Sequence, residues 1–507
     1  MIKVHPNFWQ RTLLIFNLLV ISLVVGCSVT PMALDTDEIT DQLILDRNVA
    51  LNDIEPLSGP LTLDHAVARA VKYNLDFRVS MIEQSIAFGQ LDLSRYDMLP
   101  QLLANAGYTT RNKPSEQTQN SDLSSWNYSL RLSWSLLDFG SSYYKARQNA
   151  NNLLSANEQR RRAMHLLIMD VESAFWRLAT AQALNDQLLS TRLAIENAIA
   201  ALEREQDINV QSPVERLRSL RELLVAQITI KEVQEELNTA KLELANLINA
   251  PAAELVVLAD IDNRYALSEI IQIPLEELEF VALHNNAELS VQFYESRNAA
   301  LETRRAIIDL LPGLNLDWTQ KYSTDTAVVN DSWNESALTV TWNLFNILRI
   351  RDVQNLSNAR EDLATIRRIA MQMAVVTQMH IARIELENAR QSLAYATRLS
   401  NVDNEIELNM MRGGLAGIHS ESEVLLAHTS AIVSKLRKYR ALAGFYAAES
   451  RLKSSLGLEP RMNSVHTATI MELSAAYRDA QEQWRSGAFL KTPIGNHITV
   501  PSDEQSQ

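Results

Sequence analysis

Cysteine occurs once in this 507-residue chain, at Cys27, so no internal disulfide can form. Glycine and proline number 13 each, and glycine falls well below its usual share of ~7%. That scarcity excludes a loop-rich or all-β protein. Aromatics make up only 6%. Positive charge is in deficit, with a net charge of −14, which argues against a general nucleic-acid role. The acidity fits either a solvated helical surface or an acidic lumen. No His-Glu-x-x-His, glycine-rich phosphate loop or Gly-x-Ser-x-Gly occurs, so no catalytic set is visible and no enzyme is expected. The nine histidines are scattered. His419 and His428 lack a third ligand and read as surface residues. Met410-Met411 reads as packing rather than a soft-metal site, and Arg160-Arg-Arg162 as a solvated helix face. No metal or cofactor is expected.

The N-terminus does have a pattern. Lys3 and Arg11 precede a short apolar run, Leu13 to Val25, too short to span a bilayer and shaped like a secretory signal. It ends in Val24-Val25-Gly26-Cys27. A small residue before a lone cysteine resembles the lipobox of bacterial lipoproteins, so residues 1–26 read as a signal peptide. Cys27 is then expected to carry a covalent lipid, diacylglyceryl and palmitate, as the first mature residue. Ser28, rather than Asp, implies the outer membrane. Residues 27–60 read as anchor and extended leader.

The remaining chain is written twice. Leu130, Leu132, Trp134 and Leu136 match Leu338, Val340, Trp342 and Leu344 at one constant offset. Side chains alternate across a strand, so each segment has one apolar and one polar face. With helix almost everywhere else, such strands suit a transmembrane β-barrel whose apolar faces meet lipid. A partner strand precedes each: Leu102 to Thr110, then Trp126 to Leu136; Leu314 to Tyr322, then Ser336 to Leu344. Each pair follows a helix stopped at a Leu-Pro, Leu99-Pro100 and Leu311-Pro312. Ala70 and Asn74 fall on Ala282 and Asn286. The repeats are placed at 61–251 and 274–460, joined by a connector at 252–273.

After each hairpin comes a stretch without proline or glycine, Tyr143 to Gln206 and Ile350 to Met411. At ~1.5 Å per residue each reaches roughly 90–100 Å. Return helices follow, Val214 to Asn249 and Ser420 to Leu456. Leu247 and Pro251 fall on Leu456 and Pro460, one residue beyond the strand offset. In the turns, Asn209 matches Gly417, positions that tolerate left-handed backbone. Ser212 matches Ser420 as N-cap, and Glu215 matches Glu423 at N3, where a carboxylate completes a capping box. Residues 461–507 lie outside the repeat, with an amphipathic helix at Thr467 to Arg485 and a disordered end.

With Leu136-Leu-Asp138-Phe-Gly140, the Leu-Pro stops, and Gly417 to Ala427 containing Glu423-Val-Leu-Leu-Ala427, the chain resembles the TolC-like outer-membrane efflux family over roughly 60–460. The resemblance implies a mixed, mainly α fold: a homotrimer with a 12-stranded transmembrane β-barrel, four strands per subunit, continued by a long α-helical barrel. It implies an outer-membrane export duct reaching into the periplasm, joined to a periplasmic adaptor (membrane fusion protein) and an inner-membrane transporter. It places an acidic ring at Glu423, which competes with a plain capping role. The second acid often found three residues later is Leu426 here, and Arg412-Gly413-Gly414 adds glycine before the turn. A structural coiled-coil lipoprotein without a pore is the alternative, but it has no use for four two-faced strands.

Overall fold

The computed structural model describes residues 32–51, 54–57, 59–112, 122–183, 185–204, 213–251, 258, 269–326, 328–419, 421–460, 462, 465 and 467–491. It divides into two units, residues 1–55 and 56–507. In the first, α1 (Thr36–Leu51) is a helix rather than part of an extended leader. The run between Pro31 and Pro56 holds no helix breaker, and Asp37 and Glu38 in its first turn complement the helix dipole. Cys27 lies outside the described residues.

In the second unit, the helix expected before each hairpin is two helices. These are α2 (Leu63–Tyr73) and α3 (Leu75–Tyr96) in the first repeat, α7 (Leu275–Asn285) and α8 (Ala287–Ile308) in the second. The breaks fall at Asn74 and Asn286, both extended, with ψ 127° and 121°. Each asparagine caps the second helix, its Oδ1 accepting at 2.9 Å from Phe77 N or Leu289 N. The duplicated asparagine is therefore a duplicated helix break.

The strands are β1 (Gln101–Thr110), β2 (Ser124–Ser135), β3 (Gly313–Ser323) and β4 (Ser332–Thr341), one antiparallel sheet in the order β1-β2-β3-β4. The first repeat then runs α4 (Leu136–Gln182), α5 (Asn185–Arg204) and α6 (Pro213–Leu247). The unbroken helix expected to Gln206 is interrupted after Ala183, which closes α4. The second repeat keeps the uninterrupted form: α9 (Asn346–Leu415) is a single 70-residue helix, and α10 (Glu421–Ser455) returns along it.

Both return helices end alike. Ala250 N donates to Ala245 O and Leu458 N to Lys453 O, closed through left-handed Asn249 (φ 51°) and Gly457 (φ 65°). This Schellman geometry aligns Ile248 with Leu456 at the strand offset. The sequence pairing of Leu247 with Leu456 is thereby corrected; the extra residue comes after the motif, at Glu459. The core repeats at that same offset: Val171 with Met379, Leu178 with Leu386, Leu244 with Leu452 and Ile248 with Leu456 are all fully buried. Each such side chain contributes ~1.5–3 kcal/mol of transfer free energy.

Two buried polar groups flank this core. Arg161 is not on a solvated face: its guanidinium sits between Glu158 at 2.5 Å and Glu459 at 2.7 Å, with His165 Nε2 3.0 Å from Glu459. Burial would raise the Glu459 pKa, but His165 and Arg161 outweigh it and hold it at about 2. The second group fastens α11 (Ile470–Arg485), which starts with a Thr469–Glu472 capping box. Its fully buried Tyr477 donates to the Glu172 carboxylate, which also accepts from Gln481 at 2.7 Å. Burial, then the Glu172 charge, pushes the Tyr477 pKa well above its usual value.

Candidate functional site: a two-faced sheet and a helical turn

The register sorts the strand residues without exception for charge. One face carries Leu102, Ala104, Leu130, Leu132, Trp134, Leu316, Trp318, Leu338 and Val340, in rows that pair directly across neighbouring strands. These side chains are exposed apart from Trp134, which is half-buried; Leu338 is 65% and Val340 66% accessible. A largely apolar face of this kind, interrupted by Gln320, Asn334 and Ser336, marks contact with lipid or protein. Aromatics bound it at both ends. Toward the loops, Tyr108, Trp126, Tyr128 and Tyr322 form a chain of rings with centroids 5.0, 6.2 and 6.1 Å apart. Toward the helices, Trp134 meets Phe139 edge-on at 5.8 Å. From Trp126 to Trp134 the rise is ~26 Å at ~3.3 Å per residue, close to the ~25 Å apolar band of an outer-membrane barrel with its two aromatic girdles.

Three residues assigned to the lipid face fall outside the strands. Leu136 is the first residue of α4, because Ser135 caps that helix and accepts from Asp138 N at 3.2 Å. Trp342 and Leu344 follow the end of β4 at Thr341. The ladder stops there because Thr341 faces Gly313, which follows Pro312, a residue with no N–H to donate. Trp342 Nε1 instead donates to Leu310 O at 3.1 Å. The other five assigned residues, Leu130, Leu132, Trp134, Leu338 and Val340, share the one face.

The opposite face holds Asn105, Asn127, Ser129, Ser133, Thr319, Thr339 and every charged strand residue: Arg131, Asp317, Lys321 and Glu335. Arg131 Nε donates to Asp317 Oδ1 at 3.0 Å, and Lys321 pairs with Glu335. Asn127 accepts from Ser323 Oγ at 2.8 Å.

At the far end of α9 the chain turns in a third Schellman motif. Ile418 N donates to Gly413 O at 2.8 Å and Gly417 N to Gly414 O at 3.0 Å, with Gly417 at φ 73°. The Gly413-Gly414 pair, a departure from the family pattern in sequence, has a steric reason. A Cβ on Gly413 would lie 2.3 Å from His419 Cδ2, and one on Gly414 2.8 Å from Val424 Cγ2. The glycines let α10 return tightly against α9. Glu423 is exposed at N3 of α10, with His419 Nδ1 4.0 Å from its carboxylate. His428 is not a bystander: its Nδ1 lies 2.6 Å from Glu407 and ties α10 to α9. Glu215 occupies the third position of α6, with its side chain outside the described residues, as are Asn209, Ser212 and Ser420. Ile195 and Leu202 of α5, Leu223, Ala226 and Ile230 of α6, and Ile432 and Leu436 of α10 bury a separate apolar cluster that joins the two helix pairs.

Among the described residues no group of three or more His, Cys, Asp or Glu side chains could hold a metal, and no helix is long and apolar enough to cross a membrane.

A family model described as outer membrane efflux protein matches residues 66–250. No curated protein matches the sequence. Among solved structures, the CmeC outer membrane channel of Campylobacter jejuni is 12% identical, with a TM-score of 0.66 over 89% of this chain and 98% of that one. The open-state MtrE outer membrane channel of Neisseria gonorrhoeae is 17% identical, with a TM-score of 0.61 over 78% and 88%. VceC, an outer membrane protein of Vibrio cholerae, is 14% identical, with a TM-score of 0.61 over 78% and 96%. The sequence match to the outer membrane efflux protein model falls within the first repeat, and the fold of the chain is that of these outer-membrane channels.

Proposed function

We propose that this chain is the outer-membrane duct of a tripartite efflux or secretion system, assembled as a homotrimer and lipid-anchored at Cys27. One observation carries the reading: an exposed sheet with an apolar, aromatic-bounded face and two open edges, β1 and β4. In lipid a sheet must close on itself, because no water satisfies its edge groups. Four strands are too few. β1 and β4 run in opposite directions, so β4 of one copy continues antiparallel onto β1 of the next, and three copies close an even-stranded barrel. The helices support the same closure. The flank beyond β4 carries an exposed apolar stripe on α9 that includes Leu363, Ile366, Met373, Ile384, Tyr395 and Val402. The flank beyond β1 offers Val79, Ile82, Ile86 and Leu93 of α3.

The Gly417 turn lies at the end of a helix ~105 Å long by its rise, directed away from the membrane, and is the surface for a periplasmic adaptor. Glu423 there faces the pore as one of three converging carboxylates or serves only as a helix cap. The duct passes small molecules delivered by an inner-membrane transporter.

The test is purified full-length protein in a planar lipid bilayer. Stable trimers with single-channel conductance are expected. A monomer that leaves the bilayer silent would refute the reading. Mass spectrometry of the mature N-terminus is expected to find Cys27 acylated.

A further inference from the structure

All four charged residues in the strands lie on the polar face, two of each sign, and all four are paired: Arg131 with Asp317, Lys321 with Glu335. Resting on the proposal that this face lines the pore, we infer that these pairs form an electrically neutral ion-pair belt that sets how the barrel treats charged solutes. The belt is compact. Arg131, Thr319 and Glu335 share one level across β2, β3 and β4, with Asp317 and Lys321 one same-face step to either side. That confines the charges to ~13 Å of height along β3 at ~3.3 Å per residue. Their neighbours on the face, Ser129, Ser133 and Thr339, are uncharged.

Stability does not account for the arrangement. Side-chain exposures of 40% for Lys321 and 53% for Glu335 make theirs a water-facing pair, and in the other pair Arg131 is 47% exposed against 12% for Asp317; ion pairs with solvent-exposed partners contribute little to folding. Their effect is on the field. Opposite charges in contact cancel at the distance of a permeating ion, so a wall built of pairs favours neither sign. Solubility of the wall alone would have been met by more Ser, Thr and Asn. The barrel is thereby suited to anionic, cationic and neutral solutes alike, and discrimination by charge is left to other parts of the duct.

Removing one partner exposes the other. In a trimer, Asp317→Asn leaves three uncompensated Arg131 charges in one ring, and Arg131→Gln leaves three Asp317 charges. A unit charge ~10 Å from an ion in water changes that ion's local concentration about twofold, so three change it severalfold. The experiment measures the K⁺/Cl⁻ permeability ratio of full-length trimers in planar bilayers under a KCl gradient, at low salt where screening is weak. Asp317→Asn is expected to lower the ratio severalfold, Arg131→Gln to raise it, and the double variant to restore it. Glu335→Gln and Lys321→Gln repeat the test on an independent pair, should either first variant fail to assemble. Thr319→Lys, at the belt's level but outside both pairs, reports on the pore-facing assignment. If Thr319→Lys leaves the ratio unchanged, the face does not line the pore, and the proposal fails with that reading. If Thr319→Lys lowers the ratio while the pair variants match wild type, or shift it in the same direction, the belt alone is overturned.

Discussion

Single residues set where this chain turns, and the turns are where the sequence was most and least readable. Gly457 sits at φ 65°, and a Cβ there would lie 2.5 Å from Asn285 O. Left-handed backbone costs a residue with Cβ ~1–2 kcal/mol, and the contact adds to that. Gly457→Ala should therefore lower the apparent thermal midpoint clearly, whereas Asn249→Gly at the equivalent turn should be nearly neutral; circular dichroism melts in detergent compare them. Gly413→Ala is expected to displace His419 and splay the α9–α10 turn, read as weakened binding of a helical-hairpin adaptor to otherwise intact trimer. The role of Gly417 was legible because left-handed turns favour glycine. The role of Gly413 was not: a close approach between helices leaves no periodic signal in either one. The same holds for Arg161. In sequence it is the middle of three arginines; only the packing of α4 puts it between Glu158 and Glu459.

At the scale of elements, the latch of α11 makes the fold sensitive to acid. Arg478 and Ser474 of α11 donate to Asp64 in the first turn of α2. Burial would raise the Asp64 pKa, but the hydrogen bonds from Ser474 and Arg478, with the Arg478 charge, hold it at about 2. The Glu459 pKa is likewise about 2. Both carboxyls are depressed below their unfolded values near 4. Their stabilisation is present above that range and is lost as pH falls from ~4.5 toward ~2. The apparent thermal midpoint should be flat from neutral pH down to ~5, then fall steeply. Asp64→Asn should lower the midpoint at neutral pH and leave it near wild type at pH ~2; a constant difference at all pH values would detach the latch from this titration.

The sheet offers an element-scale test that the sequence already contained. Period-two alternation put Leu130, Leu132, Trp134, Leu338 and Val340 on one face, and the structure supplied the strand ends, which depend on capping by Ser135 and on Pro312 rather than on hydropathy. A charge at the lipid midplane of an outer-membrane barrel costs ~2–4 kcal/mol. Leu132→Arg and Val340→Arg should impair assembly, and Ser133→Arg and Thr339→Arg should be tolerated, as scored by the fraction of trimer recovered from membranes. Equal damage at both sets would contradict the faces.

For the whole molecule, the exposed stripe on α9 decides whether one chain is enough. At ~100° per residue around a helix, Ile366, Met373, Ile384 and Val402 project from the side opposite Val375, Met379 and Leu386, which are buried within the subunit. The stripe therefore has no partner in its own chain's core. A helix that is apolar on two opposite faces is one designed to be enclosed, and the open β4 edge on the same flank makes the same demand of the sheet. A pure coiled coil could satisfy the stripe but not the edge, and a barrel without helices could satisfy the edge but not the stripe; a closed ring of copies satisfies both at once. Burying an unpaired carboxylate in such a contact costs several kcal/mol, and in a ring each substitution acts at every interface. Ile366→Asp with Ile384→Asp should shift the protein from trimer to monomer in size-exclusion chromatography with light scattering. Asn401→Asp, exposed on α9 but off the stripe, should leave the trimer intact. If the double variant stays trimeric at the same concentration, the subunits meet through another surface and the α9 stripe must be covered by something else.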